Sequence, residues 1–366
     1  MCIRDRRYVH DGDIVTLRSL IESLSDQAWD EYPRLILAYA WVLLFSFELD
    51  AIEAVLARAE SHLVRSGPPS VDHSVGLSTG FSADHLAASI AALRAYRAGW
   101  RNEPEESIAL SQEALAILEP INDQEIDYLR GTLTLNLAIS QKEVGRDAEA
   151  EDNLQKAVNL NCASGRVYAA SASFSSLMVL YIEQGRLFAA EAWGQRGLEW
   201  ITALGQETGR IYPTEVMIRL NAGRVLYEWN RLSEALTHID RSLDLVKSAS
   251  PSVLYIYGYY LFLLQLAQDD MAQALVTYER VGRSVTGDDL PDRATAAMMQ
   301  AEMAARLSYS ASGERQWPAE MESWVKLAGI QAGDAFESSE VTNYRHLAWV
   351  LIAMGQGAVS YTHLRA

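Results

Sequence analysis

The chain has 366 residues, 49% of them hydrophobic, and a formal net charge of −17 from 48 acidic against 31 basic residues. A surplus of negative charge repels phosphate backbones, so this segment is not expected to bind nucleic acid. Its longest apolar runs, Leu35–Phe47 and Val253–Leu264, fall short of the ~20 residues that span a bilayer, so no membrane partner is expected either.

The two ends read as foreign sequence. Val359-Ser360-Tyr361-Thr362-His363-Leu364 can be written in codons whose reverse complement encodes Met1-Cys2-Ile3-Arg4-Asp5. Opposite strands of one short DNA thus account for both ends, which natural termini have no reason to share. Residues 1–6 and 359–366 are expected to be adapter-derived, and 7–358 to be an internal fragment of a longer protein. With the ends set aside, Cys162 is the one remaining cysteine. That leaves neither a disulfide framework nor a cysteine-based metal cluster, and it suits a reducing, cytoplasmic setting.

In chain order, Gly12–Leu24 predicts a first short helix. Pro33 suits the first turn of the next, which runs through an apolar stretch to Phe47. Asp50–Val64 follows, with Ile52, Val55, Leu56 and Ala59 directed inward. Ser66–Ser82, rich in Gly, Ser and Pro, is the one long loop.

From Ala83 on, helix follows helix and no period-2 strand pattern occurs. A signature recurs: a turn residue, a small residue five later, and another seven after that. It reads Asn102/Ser107/Ala114, Gly145/Ala150/Ala157, Gly185/Ala190/Gly197 and Asn230/Ala235/Ser242. Asp269/Ala274/Val281 is a degraded copy, and Phe47/Ile52/Ala59 is an earlier one with bulky residues in its first two slots. The turn residues from Asn102 to Asp269 are spaced by 43, 40, 45 and 39. Small residues seven apart lie on one helical face and let paired helices approach closely. The clearest unit is Val216 to Val246: Val216, Leu220, Gly223 and Tyr227 recur at helical spacing, then Leu232, Leu236, Ile239, Leu243 and Val246. Neither helix can bury its apolar face alone, so the hairpins must stack. This is the tetratricopeptide (TPR) pattern with lengthened periods. Helices at Arg293–Leu307, Pro318–Leu327 and Glu340–Met354 should continue the array. The expected fold is all-α: a right-handed superhelical solenoid of antiparallel helix hairpins.

Several strings resemble the helical arm of the MalT-like, large ATP-dependent LuxR-type transcriptional regulators. They are Pro33-Arg34-Leu35 with Ala40-Trp41, Glu183-Gln184-Gly185-Arg186-Leu187, Leu226-Tyr227-Glu228-Trp229-Asn230 running into Leu232 and Ala235, and His346-Leu347-Ala348-Trp349 running to Gln356. The resemblance covers essentially all of residues 7–358. Phe47 stands where the family usually has a turn glycine, Arg231 where an aspartate is common, and Ala348-Trp349 where an Ala-Arg is usual. The resemblance implies a three-part parent: an N-terminal signalling NTPase, this helical sensor, and a C-terminal helix-turn-helix. It further implies that inducer and ATP together promote self-association and promoter activation. The present residues contain neither a G-x-x-x-x-G-K-[ST] phosphate loop nor a basic recognition helix, so ATP is expected only in the missing NTPase module.

The histidines are scattered, no two at i, i+4, so no metal site is expected. Acidic residues such as Glu103, Glu105 and Glu106 read as solvated helix faces, and no nucleophile elbow or Cys/His arrangement is present, so the segment is not expected to be an enzyme. The sharper candidate is a ligand groove. Nine residues before each turn stand Asn136, Ser176, Asn221 and Tyr260. A polar residue repeated at that register of otherwise apolar helices could form a hydrogen-bonding ladder along the concave face, joined by Arg224 and Tyr227. The aromatic run Tyr255, Tyr257, Tyr259, Tyr260 and Phe262 reads as the packing of a wholly buried helix. The function expected is a ligand-sensing and oligomerisation arm that binds a small inducer or a regulatory protein. The alternative is a free-standing TPR scaffold for protein–protein interaction. A phosphate-loop module before residue 7 and a helix-turn-helix after 358 would decide for the regulator.

Overall fold

The computed structural model describes residues 14–25, 29, 33–46, 48–66, 83–101, 103–121, 124–246, 251–284, 293–312, 320 and 324. Among the described residues every extended element is an α-helix and none is a strand. In order they are α1 (Ile14–Glu22), α2 (Pro33–Phe45), α3 (Leu49–Ser66), α4 (Ala83–Trp100), α5 (Pro104–Leu118), α6 (Gln124–Glu143), α7 (Asp147–Ala163), α8 (Val167–Glu183), α9 (Leu187–Thr208), α10 (Glu215–Glu228), α11 (Leu232–Val246), α12 (Pro251–Ala267), α13 (Met271–Ser284) and α14 (Arg293–Ser312). The fold is all-α and TPR-like, built of helix hairpins. The loop from 67 to 82, both adapter-like ends, the turn residues Phe47 and Asn102, and nearly all of the two last expected helices lie outside the described residues.

Four turn residues found by spacing occupy the left-handed backbone region: Gly145 at φ 73°, Gly185 at 71°, Asn230 at 57° and Asp269 at 60°. Each is followed by the same closure. The amide of the next residue donates to a carbonyl five positions back: Arg146 to Gln141, Arg186 to Tyr181 and Arg231 to Leu226 at 2.8 Å, and Asp270 to Gln265 at 2.9 Å. This bond and the left-handed residue before it end the helix and reverse the chain within two or three residues.

The small residues after each turn are buried. Ser107, Ala114, Ala150, Ala157, Ala190, Ala235, Ser242 and Ala274 have no exposed surface, and Gly197 is buried as well. Val281, the bulky residue of the degraded copy, is matched by a glycine on the facing helix. A Cβ at Gly258 would lie 2.3 Å from Val281 Cγ2, so the missing side chain on α12 makes room for the extra methyls on α13.

The chain forms two compact units, Met1–Ser173 and Phe174–Ala366. In the first, α2 is apolar on almost every side because it is covered on more than one. Val42 packs with Leu17 and Ile21 of α1, while Ile36, Leu43 and Leu44 pack with Leu56 of α3 and Leu93 of α4. Arg94 ties α4 to α3 through Glu53 and Glu60, at 2.5 and 2.7 Å. In the second unit one core joins α10 to α14, running from Val216 and Leu220 through Ile239, Tyr255 and Phe262 to Met303. Burying each such side chain contributes about 1.5–3 kcal/mol.

Candidate functional site

In the second unit α10 and α12 are the leading helices of consecutive hairpins, α14 follows them, and α12 packs against both α10 and α14. Their mutual contact follows from stacking: each hairpin lays its first helix beside the first helix of the next. A polar cluster lies where these three helices meet.

Its centre is Glu302 of α14, 4% exposed. A carboxylate so placed requires partners, and three of its bonds are described. Tyr259 of α12 donates its hydroxyl to Oε2 at 2.6 Å. Arg306, one turn along α14, donates Nε and Nη2 to Oε1 at 2.9 and 2.6 Å. Burial, then the Glu302 charge, pushes the Tyr259 phenol well above its ordinary pKa. Tyr227 of α10 is half-buried; burial raises its phenol pKa, and the Arg306 charge works the other way.

Beside this cluster Arg224 of α10 lies over Tyr260 of α12, its guanidinium carbon 6.0 Å from the ring centre. Glu228, one turn along, has its nearest oxygen 3.9 Å from Arg224 Nε. Tyr260 is 8% exposed and packs at 5.6 Å and 48° on Tyr259.

The structure brings Arg224, Tyr227 and Tyr260 together, and the asparagines of the ladder have partners of their own. Asn136 sits in the first unit, 4% exposed, with its amide spent inside the protein. It donates to Ser107 Oγ at 2.9 Å and Ser111 Oγ at 3.0 Å, locking α6 to α5. Asn221 is 5% exposed and donates to Ser175 Oγ of α8 at 2.8 Å and to the Met217 carbonyl at 3.1 Å. Ser176 is half-buried on α8. The two asparagines thus tie helices together, each in its own way, in place of a continuous ladder. Glu302 and Arg306 were not among the residues singled out from sequence, and Tyr259 was read only as packing of the aromatic helix. The signal for them was a Glu and an Arg four apart inside the otherwise apolar, alanine- and methionine-rich α14.

The aromatic helix α12 is buried as its composition predicts: Tyr255, Tyr257, Tyr259 and Tyr260 are each under 9% exposed and Phe262 is fully enclosed. Among the described residues no three His, Cys, Asp or Glu side chains converge to hold a metal ion, and no helix is long and apolar enough to cross a membrane.

A family model described as the MalT-like TPR region matches residues 88–360. A curated relative, the HTH-type transcriptional regulator MalT of Vibrio campbellii (strain ATCC BAA-1116), is 22% identical over 251 residues, 66% of this chain and 25% of the relative. The chain thus spans about a quarter of that relative's length. Among solved structures, Rap protein complexed with Competence and Sporulation Factor has a TM-score of 0.65 at 10% identity, covering 99% of this chain and 94% of that one. NprR in complex with its cognate peptide NprX has a TM-score of 0.55 at 12% identity, covering 93% and 91%. The apo form of the quorum sensor NprR from B. thuringiensis has a TM-score of 0.54 at 11% identity, covering 96% and 90%. These likenesses are of fold.

Proposed function

The chain belongs to the family of MalT-like TPR regions, and on that premise we propose that it is the ligand-sensing arm of a transcriptional regulator. The ligand, a small inducer or a regulatory protein or peptide, binds on the face formed by α10, α12 and α14. The observation that supports this most is the buried Glu302–Arg306–Tyr259 cluster with Arg224, Tyr227 and Tyr260 beside it. Charged side chains are costly to hold among packed helices, and a stack of hairpins needs none of them to stand. Convergent polar groups in an otherwise apolar wall are what a binding site requires. The curated relative is a transcriptional regulator, and two proteins sharing the fold were solved with a signalling factor or peptide bound.

The arm binds and does not turn over its ligand. It works in the cytoplasm, and ligand shifts the parent protein toward self-association by binding one arrangement more tightly than the other. The test is a thermal-shift screen of metabolites and short peptides against the wild-type chain, Arg224→Ala and Tyr227→Phe. A ligand at a hundred times its Kd adds about 2.7 kcal/mol of stability. The shift should shrink in both variants. A shift of full size in both would place the ligand elsewhere and remove this face from the account.

A further inference from the structure

We propose that the ligand of this face carries a carboxylate, which Arg224 grips with two hydrogen bonds beside the Tyr260 ring. The inference rests on the reading of α10, α12 and α14 as the ligand face, and it assigns that ligand a chemical class.

Two arginines of this face make the argument by contrast. Their side chains are similarly sheltered, 25% exposed for Arg224 and 22% for Arg306. Arg306 is bonded to an acid: two of its N–H groups lie on one oxygen of Glu302. Arg224 is not. Among the described residues its nearest carboxylate is Glu228, at 3.9 Å, beyond hydrogen-bonding distance. Its remaining described partner is the face of the Tyr260 ring. A guanidinium offers five N–H donors in a rigid fork, and an aromatic face does not occupy them. A sheltered cation with unspent donors is costly in the free protein. The group whose shape answers that fork is a planar, two-oxygen anion.

Charge narrows the choice. Glu228 stands 3.9 Å from Arg224, Glu302 is bonded to Tyr259 beside Tyr260, and the chain as a whole carries −17. A phosphate dianion would be repelled by these carboxylates about twice as strongly as a monoanion. No second unmatched cation accompanies Arg224 among the described groups of the cluster, since Arg306 is engaged. One guanidinium with two acids nearby suits a single carboxylate. That carboxylate can belong to a small organic acid or to the C-terminus of a peptide.

The experiment uses the full chain and affinity selection with mass spectrometry. One arm offers benzoate, benzamide and phenyl phosphate. The other offers an N-acetylated pentapeptide library with free C-terminal carboxylates, and the same library amidated. The acid forms in at least one arm should be retained about tenfold over their amides, a difference of roughly 1.4 kcal/mol. The arm in which this happens identifies the source of the carboxylate. Arg224→Gln should bring acid and amide to parity, and Arg224→Lys, which keeps the charge but loses the fork, should fall between. Thermal unfolding separates binding from architecture. Arg224→Gln should melt no lower than wild type, because no bonded carboxylate is orphaned, whereas Arg306→Gln should melt lower.

Equal retention of acids and amides that is lost in Tyr227→Phe would overturn the carboxylate while leaving the ligand face in place. Preference for phenyl phosphate over benzoate, acid retention unchanged in Arg224→Gln, or an Arg224→Gln melting loss equal to that of Arg306→Gln would also overturn it. Retention of no member of either arm would remove the carboxylate and the ligand face together.

Discussion

Tyr259 of α12 donates its hydroxyl to Glu302 of α14 at 2.6 Å, across the contact between the two helices. The bond falls on Oε2, while the described bonds from Arg306 fall on Oε1. Removing a donor from a buried charged acceptor costs about 1–3 kcal/mol. Tyr259→Phe should therefore lower the melting temperature of the unit, by about 2–4 °C for each kcal/mol in a domain of this size. Far-UV circular dichroism on heating checks it. An unchanged melting point would mean that the carboxylate is satisfied without α12.

The buried tyrosines set the alkaline limit of the fold. Burial raises the phenols of Tyr227, Tyr255, Tyr257 and Tyr259. It also pushes Tyr278 up to about 12, aided by its hydrogen bond to Glu320. In the unfolded chain these groups ionise near pH 10. A folded pKa above the unfolded value means that the native state holds its protons longer. Stability is then undiminished below pH ~10 and falls as pH rises toward the folded values. Phenolate absorbance should show these tyrosines silent through pH 10 and then titrating together as the unit opens. A smooth titration of all tyrosines around pH 10 with the fold intact would contradict their burial.

Gly258 and Val281 are a matched pair. Gly258→Ala would bring a methyl group to 2.3 Å from Val281 Cγ2, and overpacking of this kind costs about 1–3 kcal/mol. Val281→Ala should recover much of that loss in the double variant, giving a coupling of opposite sign to the single effects. Equilibrium urea unfolding of the four proteins measures it. Simple additivity would show that α12 and α13 do not meet there.

Asn136 is predicted to act on stability alone. Its amide spans Ser107 and Ser111, so Asn136→Ala removes both bonds; Ser107 still accepts from Ser140 at 2.8 Å, and the cost is about 1–3 kcal/mol. Ligand affinity, measured on the folded variant, should not move.

Much of this architecture was legible in the residues. The turns at Gly145, Gly185, Asn230 and Asp269 and the buried small residues after them follow from local rules: which residues accept a left-handed backbone, and which leave room for a neighbouring helix. The site was legible only in part. Arg224, Tyr227 and Tyr260 share a face because two helices with known registers stack. Asn136 and Asn221 resemble them in sequence, but their hydrogen-bond partners, Ser107, Ser111 and Ser175, lie 25 to 46 residues away. A one-dimensional register cannot distinguish an amide turned to a neighbouring helix from one turned to a groove. Glu302 and Arg306 were missed for a related reason. They fall after Asp269, the last turn residue found, so no turn fixed their register.

The most direct measurement is hydrogen-exchange mass spectrometry of the wild-type chain with and without a saturating ligand from the thermal-shift screen. Protection gained on binding should centre on α10, α12 and α14, and Arg224→Gln should weaken it there. Protection confined to α11 and α13, or to residues before 174, would contradict the assignment of the sensing face.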